Sequence, residues 1–465
     1  VKRLALLVLL IASAGSLPAQ SGGLRLEDVL QSVTDQYPPL LAALRDRVIA
    51  DGDLTIAEGK FDLNVKGGFE GDYLTYYRND LYRLGVEQPL EFQGMSLQGG
   101  YGLGRGSFAT YDGKLQTDSA GEYKMGLKMP LLRDRGIDAR RADLRKAWLG
   151  RRIADLGVAQ QRLAIIQLAT RRYYDWVAVG IRYRITREVL LAAEQRDKQL
   201  KEAAGLGQIP QIDVTDNQRA ILTRRALWIE AQRGLEAASI ELSLFWRNQK
   251  GEPVLPQPDQ LPPSFPAAVE VGENRLLEDI ERALLLRPDA KRIEVQKGQL
   301  DIDRRLARNQ KLPGLDFSVN YTRESGERLV RRGTDELAAT LTFDLPLQRR
   351  AAKGRESVAT AKWEQLDLRE RFTRDQIVAE VRDAHSALRA AYQKSKVLLE
   401  ELAVARELEA AERVRFELGE GTLFLVNLRE QATFDTALRE VAATNEYFRA
   451  RAQYEFALGE KMEEN

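Results

Sequence analysis

The sequence predicts a mainly α-helical chain with a smaller β component, one plan made twice: a strand pair followed by a long coiled-coil helical hairpin. Three observations predict it. A strand ending in Pro-Leu and running into an Arg-rich helix start occurs twice, at Pro130-Leu131 and at Pro346-Leu347. Apolar and small residues recur at alternating spacings of four and three from Ile377 to Ala405, the seam of a heptad repeat. A stretch holding Pro253, Pro256, Pro258, Pro262, Pro263 and Pro266 separates the two copies, because proline fixes φ and removes a backbone donor. The expected organisation is a segment 1–19, a first repeat over 20–250, a Pro-rich linker over 251–272 and a second repeat over 273–465.

The first segment reads as an export signal. Lys2 and Arg3 precede an apolar run from Leu4 to Ala12, with small residues at Ala14 and Ala19 where cleavage is expected. The run is shorter than the roughly 20 apolar residues a spanning helix needs.

Each copy then opens with a short helical pattern broken by proline: Leu26 to Val29 before Pro38-Pro39, and Leu277 to Ile280 before Pro288. Stretches of period-two alternation follow, Phe61–Val65 and Tyr123–Pro130 in copy one, Leu315–Tyr321 and Leu337–Pro346 in copy two. Copy one holds further alternating stretches, Leu81 to Glu91 and Met95 to Leu103, and a turn at Tyr111-Asp112-Gly113. After the strands come helical patterns of about 65 residues without proline, which at about 1.5 Å per residue span roughly 100 Å. Copy one carries a stripe of Leu163, Ile166, Ala169, Tyr173, Val177 and Ile181. Gly-bearing turns close them, Gly205 to Pro210 and Leu418 to Thr422, where glycine suits a left-handed helix cap and Thr422 an N-cap. The helix returning from the second turn is expected to bury Leu425, Leu428, Phe434, Leu438, Val441, Phe448 and Phe456.

Composition narrows the function. The 465 residues hold 70 Lys plus Arg against 69 Asp plus Glu, one His and no Cys. A charge near zero offers no field for a polyanion, so nucleic acid is not an expected partner. Without Cys there is no disulfide, thiolate metal ligand or thiol nucleophile, and no acceptor for an N-terminal lipid on a cysteine. A single His leaves no histidine metal centre. No cofactor, metal or catalytic residue is expected, and no enzyme, since no acidic pair sits with a His, Cys or Gly-rich phosphate loop. Gly102 to Gly106 reads as strand and turn, His385 and the group Tyr173, Tyr174, Trp176 as helix packing. Tyr73, Tyr76, Tyr77 and Tyr101 fit an interfacial aromatic girdle, and Arg133 to Arg141 and Arg349 to Arg355 fit solvated or headgroup-facing helix ends.

Taken in order, the signal segment, the duplication, the Pro-Leu junctions and the turn Phe416 to Ala432, with Gly421-Thr422 followed by an apolar run, resemble the TolC-like outer-membrane efflux protein family. Gly207 to Val214 is the counterpart in copy one. The resemblance implies a homotrimer whose strands close one transmembrane β-barrel and whose hairpins form an α-barrel through the periplasm. It implies partners in outer-membrane lipid, a periplasmic adaptor and an inner-membrane pump or exporter. Closure by joining protomers accords with physics, since an open sheet edge in lipid leaves backbone groups unpaired. Four strands per chain would give twelve; the extra stretches in copy one are either a longer extracellular excursion or additional barrel strands.

The same resemblance places a pore constriction at Glu430 and Asn427, the latter neutral where a carboxylate is expected. Three Glu430 carboxylates around one axis would repel and attract cations; the alternative is a solvated helix face. Asp213 and Asp216 become candidates for contacts that hold the closed tip. Gly205, Gly207, Gly419, Gly421 and Thr422 mark the tips where an adaptor would dock, beside their capping role. The expected function is a passive exit channel of a tripartite efflux or type I secretion system, the alternatives being a periplasmic adaptor or a coiled-coil scaffold.

Overall fold

The computed structural model describes residues 23–73, 76–108, 116–327 and 335–460; the segment read as an export signal and the turn Tyr111-Asp112-Gly113 lie outside them. The described elements run α1 (Leu26–Gln36), α2 (Pro38–Glu58), β1 (Asn64–Asp72), β2 (Asn79–Pro89), β3 (Ser96–Gly106), β4 (Glu122–Pro130), α3 (Ala139–Gly205), α4 (Gln211–Ser243), α5 (Leu276–Leu286), α6 (Pro288–Asn309), β5 (Gly314–Glu324), β6 (Asp335–Asp344), α7 (Arg350–Glu417) and α8 (Leu423–Leu458). Two compact units cut across this order: one takes 38–165, 272–386 and the chain from 453, the other takes the chain up to 37, 166–271 and 387–452.

The first unit contains the sheet. Its six strands are antiparallel and hydrogen-bonded in sequence order, β1 through β6. The further alternating stretches between β1 and β4 are β2 and β3, two added strands laddered on both sides within the same sheet. β3 reads weakly as a strand because five of its residues are glycine, and its neighbours supply the partners that glycine cannot.

Register sorts the side chains onto two faces. Val65 lies opposite Val86, Phe69 opposite Tyr82, Leu84 opposite Tyr101, Leu97 opposite Leu127, and Phe317 opposite Leu341. That apolar face is exposed in the single chain, with Met125 70% and Leu341 62% accessible. Rings pair across it, Phe69 with Tyr82 at 5.0 Å and Tyr101 with Tyr123 at 5.2 Å. The other face holds ion pairs, Lys66–Glu87 at 3.3 Å and Lys128–Asp316 at 3.0 Å. The apolar face runs across all six strands and gives way to charge at one end, where Asp80 lies opposite Arg105 and Arg323 opposite Asp335.

Pro38 and Pro288 open α2 and α6 where a missing N–H costs nothing, and the residues before them are held out of the helical region. Within this unit Tyr454, fully buried, hydrogen-bonds the buried Asp279, and His385 packs near its ring. Lys297 of α6 holds Asp367 and Glu370 of α7, each at 2.7 Å, over the face of Trp363. Gly102 to Gly106 is strand, as its pattern predicts.

The second unit is helical. Of the α7 seam, Leu388, Ala391, Ser395 and Leu402 are buried here and Leu398 and Ala405 half-buried, while Ile377, Val381 and Ala384 are buried within the first unit. In α3, Ala169, Tyr173 and Val177 are buried beside Trp176, whose indole N–H donates to Ser239 Oγ at 3.0 Å. Tyr174 stacks on Phe448 at 4.2 Å, with Phe265 of the Pro-rich stretch 5.5 Å from Phe448. That stretch has little regular structure and is fastened by side chains instead. Leu261 fills the space that a side chain at Gly180 would occupy, and Arg184 donates to the carbonyl of Pro263 at 3.0 Å.

Candidate functional site

The two hairpin turns are built alike. After α3, Gly207 adopts φ +73°, its N–H bonds Ala204 O at 2.9 Å and the next N–H bonds Ala203 O at 2.9 Å. After α7, Gly419 adopts φ +80°, its N–H bonds Phe416 O at 3.0 Å and the next N–H bonds Arg415 O at 2.9 Å. This paired closure satisfies the last carbonyls of each helix and needs a residue without a Cβ penalty. Gly205 ends α3 with open space beside it. Gly421 is different: it is not left-handed, and a Cβ there would stand 3.1 Å from the backbone nitrogen of Phe416. Thr422 accepts from the N–H of Leu425 at 3.4 Å, a weak side-chain cap beside the stronger bonds to its carbonyl.

Beneath the turns, Leu200 of α3, Val214 of α4 and Leu423 of α8 form one buried cluster with Ile209 and Phe416 against it. Outside it, Leu206, Ile212, Leu418 and Phe424 are exposed, so both tips present apolar surface together.

Glu430 sits two turns into α8 and does not face solvent. Its side chain is 6% exposed and ion-paired with three arginines: Arg196 of α3, Arg224 of α4 at 2.9 Å and Arg413 of α7 at 3.1 Å. Arg196 also donates to Asn427 Oδ1 at 3.1 Å, so both residues expected at a constriction share one guanidinium. Burial pushes the Glu430 carboxyl up, but hydrogen bonds and charge from Arg196 and Arg224 outweigh it and hold the group below its ordinary value. A solvated face is excluded for Glu430 in this conformation. A ring of free Glu430 carboxylates would first require these arginines to let go.

The three arginines were not singled out by sequence reasoning, although a signal existed. Val214, Asn217, Ile221 and Arg224 follow one buried stripe of α4 at spacings of three, four and three, and Glu430 follows Leu423 and Val426 in α8. Charges of opposite sign on two buried stripes ask to be paired. Leu425 and Leu428, expected on the α8 stripe, are off it; Leu428 is 52% exposed. Asp216 lies beside Arg219 of its own helix at 3.4 Å, and Asp213 occupies the first turn of α4, where the helix dipole favours a carboxylate. Neither makes the link between the hairpins seen at Glu430.

Among the described residues no group of three or more His, Cys, Asp or Glu could hold a metal ion, and no helix is long and apolar enough to cross a membrane. The family described as Outer membrane efflux protein matches residues 280–460. No curated protein matches. Among solved structures, the open-state Neisseria gonorrhoeae MtrE outer membrane channel is similar with a TM-score of 0.68 at 16% identity, over 94% of this chain and 89% of that one. The Campylobacter jejuni CmeC outer membrane channel gives 0.65 at 15% identity, over 94% and 87%. The Vibrio cholerae outer membrane protein VceC gives 0.62 at 15% identity, over 94% and 97%. At such identities the likeness to these structures is one of fold. Residues 280–460 therefore match the family described as Outer membrane efflux protein in sequence, and nearly the whole chain is similar in fold to solved outer membrane proteins.

Proposed function

We propose that this protein is the outer-membrane exit channel of a tripartite efflux or type I secretion system, a homotrimer that conducts passively and performs no chemistry. The observation that carries the reading is the two-faced sheet: an exposed apolar face and an ion-paired face, on strands of 9 to 11 residues. Transmembrane strands need about 9–11 residues, and a sheet with open edges survives in lipid only by closing on itself. Pairing β6 of one chain with β1 of the next closes it. In this reading the hairpins continue as a tube into the periplasm, and the exposed Leu206, Ile212, Leu418 and Phe424 with Gly205, Gly207, Gly419, Gly421 and Thr422 receive a periplasmic adaptor. The adaptor links the channel to an inner-membrane pump or exporter.

The Glu430 cluster serves as the latch of the closed tip. Arg196 and Arg224 come from one hairpin and Glu430 from the other, so sliding the hairpins apart breaks their bonds. Once released, Glu430 and Asn427 line the constriction and favour cations. Asp213 and Asp216 take a secondary part at the same tip.

Cell fractionation tests the reading. Recovery with the outer membrane as a heat-sensitive trimer supports it. Recovery as a soluble periplasmic monomer sinks it and favours a scaffold.

A further inference from the structure

We propose that the β2–β3 hairpin is part of the membrane wall, so that six strands from each of three chains close an eighteen-stranded barrel whose exit admits solutes too wide for twelve strands. This rests on the channel reading above and adds to it the size of what can leave.

The ladder is continuous. β2 pairs with β1 from Asn79 to Glu87, and β3 pairs with β4 from Ser96 to Gly102, so the hairpin is inserted between the strands and not laid over them. Its faces continue those of its neighbours. Leu84 stands between Gly67 and Tyr101 on the apolar face, and Leu97 stands opposite Leu127. On the other face Arg83 reaches Glu70 at 3.9 Å, and Gln98 lies between Glu87 and Gly126. A hairpin standing in water outside the membrane has no reason to keep one side apolar across both strands.

An even strand number also matters. β1 and β6 run antiparallel, so the free edge of β6 in one chain meets the free edge of β1 in the next as an ordinary antiparallel ladder. Barrel diameter grows with strand number: at a strand spacing of about 4.8 Å and a tilt of about 40°, eighteen strands give a backbone radius of about 18 Å against about 12 Å for twelve. The cross-section rises about twofold by the same scaling. On the polar face, Gly85, Gly100 and Gly102 of the added strands and Gly126 of β4 line a depression of about 260 Å3 together with polar side chains such as Arg83, Glu122 and Lys124.

The chain has no Cys, so single cysteines report without background. Gln98→Cys and Leu97→Cys are neighbours on opposite faces of β3, and Leu341→Cys is a control on β6, outside the hairpin. In trimers reconstituted into lipid vesicles, a charged, membrane-impermeant maleimide is expected to modify Gln98→Cys, with loss of labelling at Leu97→Cys and Leu341→Cys. Electron cryomicroscopy of the trimer viewed down its axis is expected to count eighteen strands. Labelling at Leu97→Cys but not at Leu341→Cys, with twelve strands counted, overturns the proposal and leaves the channel reading standing. Labelling at Leu341→Cys as well overturns both.

Discussion

Arg224 donates to Glu430 across 2.9 Å with the two side chains 8% and 6% exposed, a charge pair inside the helical packing. Breaking such a pair from one side leaves an uncompensated buried charge, which costs about 3–5 kcal/mol. Glu430→Gln strands Arg224, whose Nη1 already lacks a partner, and is expected to lower the thermal midpoint markedly. Arg224→Met in the Glu430→Gln background is expected to recover part of the loss, because the most buried of the three unpaired guanidinium groups is then gone. The check is the melting of the purified protein for wild type, single and double variants.

The same carboxylate makes stability depend on pH. Glu430 titrates lower in the folded protein than its ordinary 4.5, so its contribution is complete above that value and disappears as pH falls through the lower folded one. Melting followed from about pH 6 down to about pH 3 is expected to show a steeper acid loss in wild type than in Glu430→Gln. Parallel curves would remove Glu430 as a source.

Tyr447 fastens the Pro-rich stretch to α8. Its hydroxyl accepts the N–H of Val269 at 2.8 Å and donates to the carbonyl of the same residue at 2.9 Å. Tyr447→Phe leaves both backbone groups without that partner and is expected to cost about 1–3 kcal/mol. Limited proteolysis should then cut within 251–272 faster than in wild type.

The hairpin tips separate docking from folding. Gly205 has open space around it, so under the proposed function Gly205→Trp is expected to leave assembly intact while reducing adaptor-dependent export. Gly421 is the poorer probe, since a side chain there crowds Phe416 and Glu412 within the turn itself. Export and native mass measured together distinguish the two. Unchanged export in Gly205→Trp would take that tip out of the docking surface.

The sheet faces predict opposite tolerances at adjacent positions. In the proposed channel Leu341→Arg puts a charge on the face turned to lipid and is expected to cost about 2–4 kcal/mol near the midplane. Thr340→Arg points the other way and should assemble normally. Trimer yield in the outer membrane checks the pair, and equal yields would contradict the assignment of faces.

Much of this was legible before the fold was seen. The heptad seam from Ile377 to Leu402 and the Pro-Leu junctions were written in spacing, because burial along a helix repeats with the helix. The turn glycines were legible in kind, although Gly419 and not Gly421 carries the left-handed φ. β3 was harder: Gly99, Gly100, Gly102 and Gly104 give no strand propensity, and only hydrogen bonds to β2 and β4 define it. The stripe of α8 was misphased near the tip because Leu425 and Leu428 outrank Val426 and Glu430 in hydrophobicity, while four-helix packing there selects the latter two. Arg196, Arg224 and Arg413 escaped notice since a charge on a helix ordinarily marks its solvent side.

The central claim is that the protein is a conduit through the outer membrane, and single-channel recording tests it most directly. Detergent-extracted protein, shown by native electrophoresis to have the mass of three chains, is added to a planar lipid bilayer. Discrete conductance steps that prefer cations, and that grow when Arg196→Ser loosens the hold on Glu430, are the predicted result. A soluble species that neither inserts nor conducts would contradict the account.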